Sequence, residues 1–79
     1  MVKLRIKLNT VNDVGLYVAR CGEYENDIDY EYGKYTVDAK SFMGVFSVGF
    51  EHECETILYS DDEEIEKKFI DDMALWKVQ

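Results

Sequence analysis

Gly33 to Gly49, GKYTVDAKSFMGVFSVG, decides the reading of this chain. Gly33-Lys34 has the chemistry of a tight turn between two strands. Before it, Ile28, Tyr30 and Tyr32 alternate with Asp27, Asp29 and Glu31, the period of a strand with one buried face. After it, Tyr35 and Val37 continue as a second strand, so the two form a hairpin. Lys40 to Val48 is too dense in Phe, Met and Val for a plain surface loop. It reads as a short helix starting near Ser41, a residue type that caps helix N-termini well.

Outward from this stretch the patterns stay regular. Val2, Leu4, Ile6 and Leu8 alternate with Lys3, Arg5 and Lys7, a half-buried first strand. Asn9-Thr10 breaks it, and Thr10 or Asn12 can cap a helix whose positive first turn suits Asp13. Val11, Val14, Val18 and Cys21 recur at helical spacing, and Gly22 is a natural stop. Glu53 to Tyr59 reads as a strand with Cys54, Thr56 and Leu58 inward. Ser60-Asp61-Asp62-Glu63 has the form of a capping box for a last helix. Ile65, Phe69, Met73 and Trp76 give that helix one apolar stripe, and Lys77 favours the negative end of its dipole.

The order is strand, helix, strand, strand, helix, strand, helix. One-sided strands need helices on one face only. The expected class is α+β: an open-faced sandwich of one four-stranded antiparallel sheet with three helices on one face. Lys3, Arg5 and Lys7 would then share the bare face with acids such as Asp29, Glu31 and Glu55.

Composition bounds the function. The 79 residues make one domain, residues 1–79, with 47% apolar content, enough for a compact core. No apolar run approaches the roughly 18 residues that span a bilayer, and VKLRIKL does not resemble a signal peptide. A cytoplasmic location and no membrane partner are expected. Seventeen acids against nine bases leave a net charge of −8, which disfavours direct nucleic-acid binding. Cys21 and Cys54 lie in apolar-patterned segments and read as buried, reduced thiols. His52 would share a strand face with Cys54, but no CxxC or fourth soft ligand completes a metal site, so no metal is expected. No nucleophile–base pair or carboxylate cluster stands out, so neither enzyme activity nor a cofactor is expected.

Lys40, Ser41, Met43, Gly44, Val45, Ser47 and Gly49 carry a family resemblance. The Gly-Lys turn, the strand ending in Val-Asp and then Lys-Ser-Phe-Met-Gly-Val resemble the second half of HPr, the small phosphocarrier of the bacterial sugar phosphotransferase system. The element order matches that family as well. HPr carries its phosphoryl group on a histidine in a Gly-Leu-His-Ala-Arg-Pro motif near the N-terminus. Here the only histidine is His52. Aligned by its second strand, the chain puts Thr10 where that histidine belongs, Asn12 where the arginine belongs and Asp13 in place of the proline. Thr10 would form a stable ester rather than a transferable phosphoramidate, and Asn12 brings no charge to steady the oxyanions.

The resemblance implies a histidine-less HPr-like domain with a regulatory, protein-binding role of the catabolite-repression type. Ser41 matches the serine that HPr kinase/phosphorylase modifies in the family. Lys40, Phe42, Met43 and Phe46 match the family's docking patch, with Met43 and Phe46 expected to be exposed and Val45 and Val48 to be core. The implied partners are proteins: an HPr kinase/phosphorylase, a catabolite-control repressor or other phosphotransferase proteins. A working phosphocarrier component and an orphan structural domain are the alternatives.

Overall fold

The computed structural model describes residues 1–78. Its elements are β1 (Val2–Lys7), α1 (Val11–Cys21), β2 (Ile28–Tyr32), β3 (Tyr35–Asp38), α2 (Phe42–Val48), β4 (Glu53–Leu58) and α3 (Glu63–Asp72). The strands form one antiparallel sheet in the order β1-β4-β2-β3. This is the expected α+β open sandwich.

The register explains how the two faces segregate. Leu4, Thr56, Tyr30 and Val37 lie in one row across the sheet, and Ile6 pairs with Cys54 in the next inward row. Their side chains meet the helices in a core that includes Val14, Tyr17, Cys21, Val45, Phe69 and Met73. Tyr17 is its centre. Its ring lies 5.6 Å from Tyr30 and 6.0 Å from Trp76, edge-on to the latter. Edge contacts of this kind suit the quadrupoles of aromatic rings.

The opposite face carries the charge. Lys3, Ile57, Asp29 and Asp38 form one row, and Arg5, Glu55, Glu31 and Thr36 the next. Lys3 pairs diagonally with Glu55 at 3.7 Å and Arg5 with Glu53 at 3.6 Å. These are exposed pairs, each contributing a few tenths of a kcal/mol to about 1 kcal/mol.

Turn and cap chemistry falls largely where the residues demand it. Gly33 has φ 59°, a left-handed conformation that glycine adopts without strain. Thr10, rather than Asn12, caps α1: its Oγ1 accepts from Asp13 N at 3.0 Å. Asp13 reciprocates by accepting from Asn9 N at 3.0 Å. Gly22 ends the helix with an ordinary right-handed φ of −64°.

Several expected details are corrected. Tyr17, not Val11, joins Val14 and Cys21 in the buried stripe of α1; Val11 is 50% exposed, in the first turn. Asp62, not Ser60, caps α3, its Oδ1 accepting from Glu64 N at 2.9 Å. Ahead of the cap the chain is tied elsewhere: the N-terminal ammonium donates to Ser60 O at 2.9 Å and Asn26 to Tyr59 O at 3.1 Å. The helix stops at Asp72, so Trp76 and Lys77 lie beyond it and Lys77 does not serve its dipole. Residues 76–78 instead run beside β1. Lys7 N donates to Trp76 O at 2.8 Å and Val78 N to Arg5 O at 2.9 Å.

Candidate functional site

The Val37 to Gly49 stretch folds so that one short helix shows an aromatic edge to solvent. Asp38 ends β3 and turns the chain: its carbonyl accepts from Ser41 N at 3.0 Å and its Oδ1 from Lys40 N at 2.9 Å. Ser41 is extended and caps α2, its Oγ accepting from Gly44 N at 3.1 Å. Gly44 fits closely here. A Cβ there would lie 3.2 Å from Ser41 Oγ and 3.3 Å from Val37 Cβ, tighter than ordinary contact. The cap therefore sits close against β3.

Seven residues of α2 then divide as their spacing dictates. Val45 is fully buried and Val48 packs partly against the core, as expected. Phe42, Met43 and Phe46 stay exposed, Met43 at 69% and Phe46 at 44%. Phe42 and Phe46, one turn apart, stack at 5.9 Å with ring planes 19° from parallel. Phe46 continues onto Phe50 at 5.8 Å. The result is an aromatic ladder along the helix. Its lower end approaches α1, where a Cβ on Gly15 would lie 4.0 Å from Phe42 Cε2. On α1, Val11 and Leu16 are also exposed apolar residues. The i, i+3 spacing from Val14 put Val11 on the buried face, and its place in the first turn exposes it; Leu16 lies off the Val14–Tyr17–Cys21 stripe.

Lys40 does not belong with the exposed set. Its Nζ donates to Tyr24 O at 2.6 Å and the side chain is half-buried. Its charge fastens the loop after α1 to the start of α2 rather than projecting toward a partner. The Tyr24 side chain is held in turn: its hydroxyl donates to Asp72 Oδ2, and Lys68 Nζ sits 4.4 Å from its ring.

Thr10 and Asn12 sit at the start of α1, both exposed. The Thr10 hydroxyl is occupied as the helix cap. His52 lies elsewhere, just before β4. Its ring stacks on Tyr32 at 3.7 Å, its Nδ1 is 3.0 Å from Cys54 Sγ, and a Cβ on Gly49 would come within 3.0 Å of its Nε2. It is wedged between neighbours.

The two thiols are free and buried. Burial pushes Cys21 up to about 12, against the opposing hydrogen bond with Tyr17. Burial also raises Cys54, with a Tyr30 hydrogen bond opposing. Both are protonated at neutral pH, the form that is neither nucleophile nor metal ligand. Among the described residues no three His, Cys, Asp or Glu side chains converge to hold a metal ion. Among the described residues no helix is long and apolar enough to cross a membrane.

Solved structures share this arrangement of strands and helices. The chain superposes on HPr-C-His from Thermoanaerobacter tengcongensis with a TM-score of 0.75 and 23% identity, over 94% of this chain and 92% of that one. It superposes on a phosphocarrier protein HPr from Bacillus anthracis str. Ames with a TM-score of 0.73 and 23% identity, over 95% of each chain. The fold is that of HPr. No protein-family model matches the chain, and comparison with curated proteins finds no relative. At this identity the likeness is one of fold.

Proposed function

We propose that the protein is an HPr-like regulatory domain that binds other proteins and carries no phosphoryl group on histidine. The observation that supports it best is the exposed ladder of Phe42 and Phe46 with Met43 beside it. Aromatic and methionine side chains left in water on an HPr fold suit an adaptable docking surface. Val11 and Leu16 extend its apolar character onto α1.

Ser41 stands at the edge of this surface and is exposed. In the proposed cycle an HPr kinase/phosphorylase modifies it, and the phosphate changes which protein docks: a catabolite-control repressor or another phosphotransferase protein. The Asp38 carboxylate beside Ser41 works against the added charge, while the Lys40 ammonium, held by Tyr24 O, keeps its own charge. The modification therefore acts by local charge and by occupying the patch edge, not by stabilising the fold. Thr10 and Asn12 form a degenerate carrier site in this reading, with the threonine hydroxyl kept as a helix cap. The domain is not an enzyme, needs no cofactor and acts in the bacterial cytoplasm.

The test is a titration of isotope-labelled protein with a purified HPr kinase or catabolite-control repressor, followed by amide chemical shifts. Shifts should cluster from Ser41 to Phe46. Met43→Ala and Phe46→Ala, which remove exposed side chains, should each weaken binding by about tenfold or more, as interface anchors do. Shifts confined to the charged sheet face, or none with either protein, would end the proposal.

A further inference from the structure

The two edges of the sheet are treated differently. The β1 edge is closed by residues 76–78, which bond to Arg5 and Lys7. At the other edge, among the described residues, β3 has no strand beyond it. The two-residue turn makes Tyr32 and Tyr35 a hydrogen-bonded pair. Alternation then turns the N–H and C=O of Thr36, and the N–H of Asp38, away from β2. The same alternation returns Ala39 N to Ile28 O at 2.9 Å, as observed. The Asp38 carbonyl is already taken by Ser41 N. The open edge thus offers a short run of backbone groups centred on Thr36.

Charge says what this edge would accept. On the bare face the cations of β1 answer the acids of β4, as Lys3–Glu55 and Arg5–Glu53 show. The next columns are acidic as well: Asp29 and Glu31 on β2, Asp38 on β3, and Asp27 just before β2. Among the described residues none of these four forms an ion pair. Asp27, Asp29 and Asp38 border a hollow of about 410 Å³ that also reaches Thr36 and Tyr59. On the helix side the edge is apolar, where Tyr35, Ser47 and Val48 line a hollow of about 430 Å³.

The geometry points to β3 as a docking edge for an extended segment of another protein that alternates basic with aliphatic residues. Its backbone would pair with Thr36. Its Lys or Arg side chains would lie over Asp29 and Asp38, and its aliphatic ones would enter the hollow by Tyr35 and Val48. Strand addition of this kind draws affinity from main-chain bonds and specificity from alternate side chains. β1 itself, Val2-Lys3-Leu4-Arg5-Ile6-Lys7, displays the same pattern against the acids of β4. A second copy fits less well, because it brings another chain of net charge −8 rather than a basic segment. This surface is separate from the Phe42–Phe46 ladder and does not depend on its role.

The probe is a short, end-capped, fluorescent peptide alternating lysine with valine, titrated against the whole protein at low and moderate salt. Binding should be saturable, should weaken with salt, and should shift the amides of Thr36 and Asp38. Thr36→Pro removes the outward N–H and the exposed Thr36 hydroxyl bond to Glu31 while leaving the backbone bonds to β2 in place, and should weaken binding by about tenfold. Should that variant fail to fold, Asp29→Asn with Asp38→Asn keeps the shape and should weaken binding and flatten the salt dependence. Equal binding of a glutamate-for-lysine peptide would overturn the proposal. So would shifts centred on Phe42 and Met43, the absence of saturable binding, or self-association of the protein that Thr36→Pro abolishes.

Discussion

The Tyr17 hydroxyl and Thr56 Oγ1 lie 2.6 Å apart inside the core, joining α1 to the middle of β4. Both residues are fully buried, and the Thr56 hydroxyl has its side-chain partner in Tyr17, whose own hydroxyl also meets the Cys21 thiol. Tyr17→Phe should cost about 1–3 kcal/mol, because it strands the threonine oxygen. Thr56→Val should cost less, because the Tyr17 hydroxyl keeps its contact with the Cys21 thiol. The double variant should lose clearly less than the sum, since no unpaired hydroxyl remains. Urea unfolding followed by Trp76 fluorescence reads all three; strict additivity would show the pair to be uncoupled.

Ser41 has two separable roles. As the cap of α2, its loss in Ser41→Ala should cost about 1 kcal/mol, while Ser41→Asp, another good cap, should cost little. As the proposed phosphate acceptor, it should be the residue modified when the protein is incubated with an HPr kinase and ATP and mapped by mass spectrometry. Phosphate on Ser47 or Ser60 in its place, or none at all, would leave Ser41 as a cap alone.

Phosphoryl carriage should be absent. Incubation with enzyme I and phosphoenolpyruvate should leave the protein unlabelled, because Thr10 is a capping hydroxyl and His52 is held between Tyr32, Cys54 and Gly49. Stoichiometric, acid-labile label that disappears in His52→Ala would contradict this.

Asp72 should set part of the acid sensitivity. Burial tends to raise its carboxyl, but the Tyr24 hydroxyl, Lys68 and Arg20 together outweigh burial and hold it below its ordinary value of 3.8. A depressed folded-state value contributes stability that is present above the unfolded value and lost as pH falls through the folded one. The loss should therefore fall below about pH 4. Asp72→Asn should lower stability at neutral pH and reduce the further drop in urea midpoint on acidification. An unchanged acid limb would assign that drop to other carboxylates.

How much of this was legible depends on the range of the interaction. The alternation of Val2 to Lys7, the Gly33-Lys34 turn and the Ser41 cap were readable because strand period, turn and cap are set by residues a few positions apart. The exposure of Met43 and Phe46 was readable too, since Val45 and Val48 already claim the inward side of so short a helix. Ser60 and Asp62 show the boundary of this reach. Both can cap a helix; Asp62 does, while Ser60 O is engaged by the distant Met1 ammonium.

By itself, then, the chain determined the order of elements, their buried faces and most of their ends, because those follow from local sterics and from the need to hide one apolar side. The tertiary structure alone decided what distant groups do to one another. It brought Tyr17 to Thr56, spent Lys40 on the Tyr24 carbonyl, laid residues 76–78 against β1 and left β3 uncovered. A hydroxyl, an ammonium or a strand edge has no preferred partner until the fold brings one within about 3 Å, and that approach is fixed by the packing of the whole core.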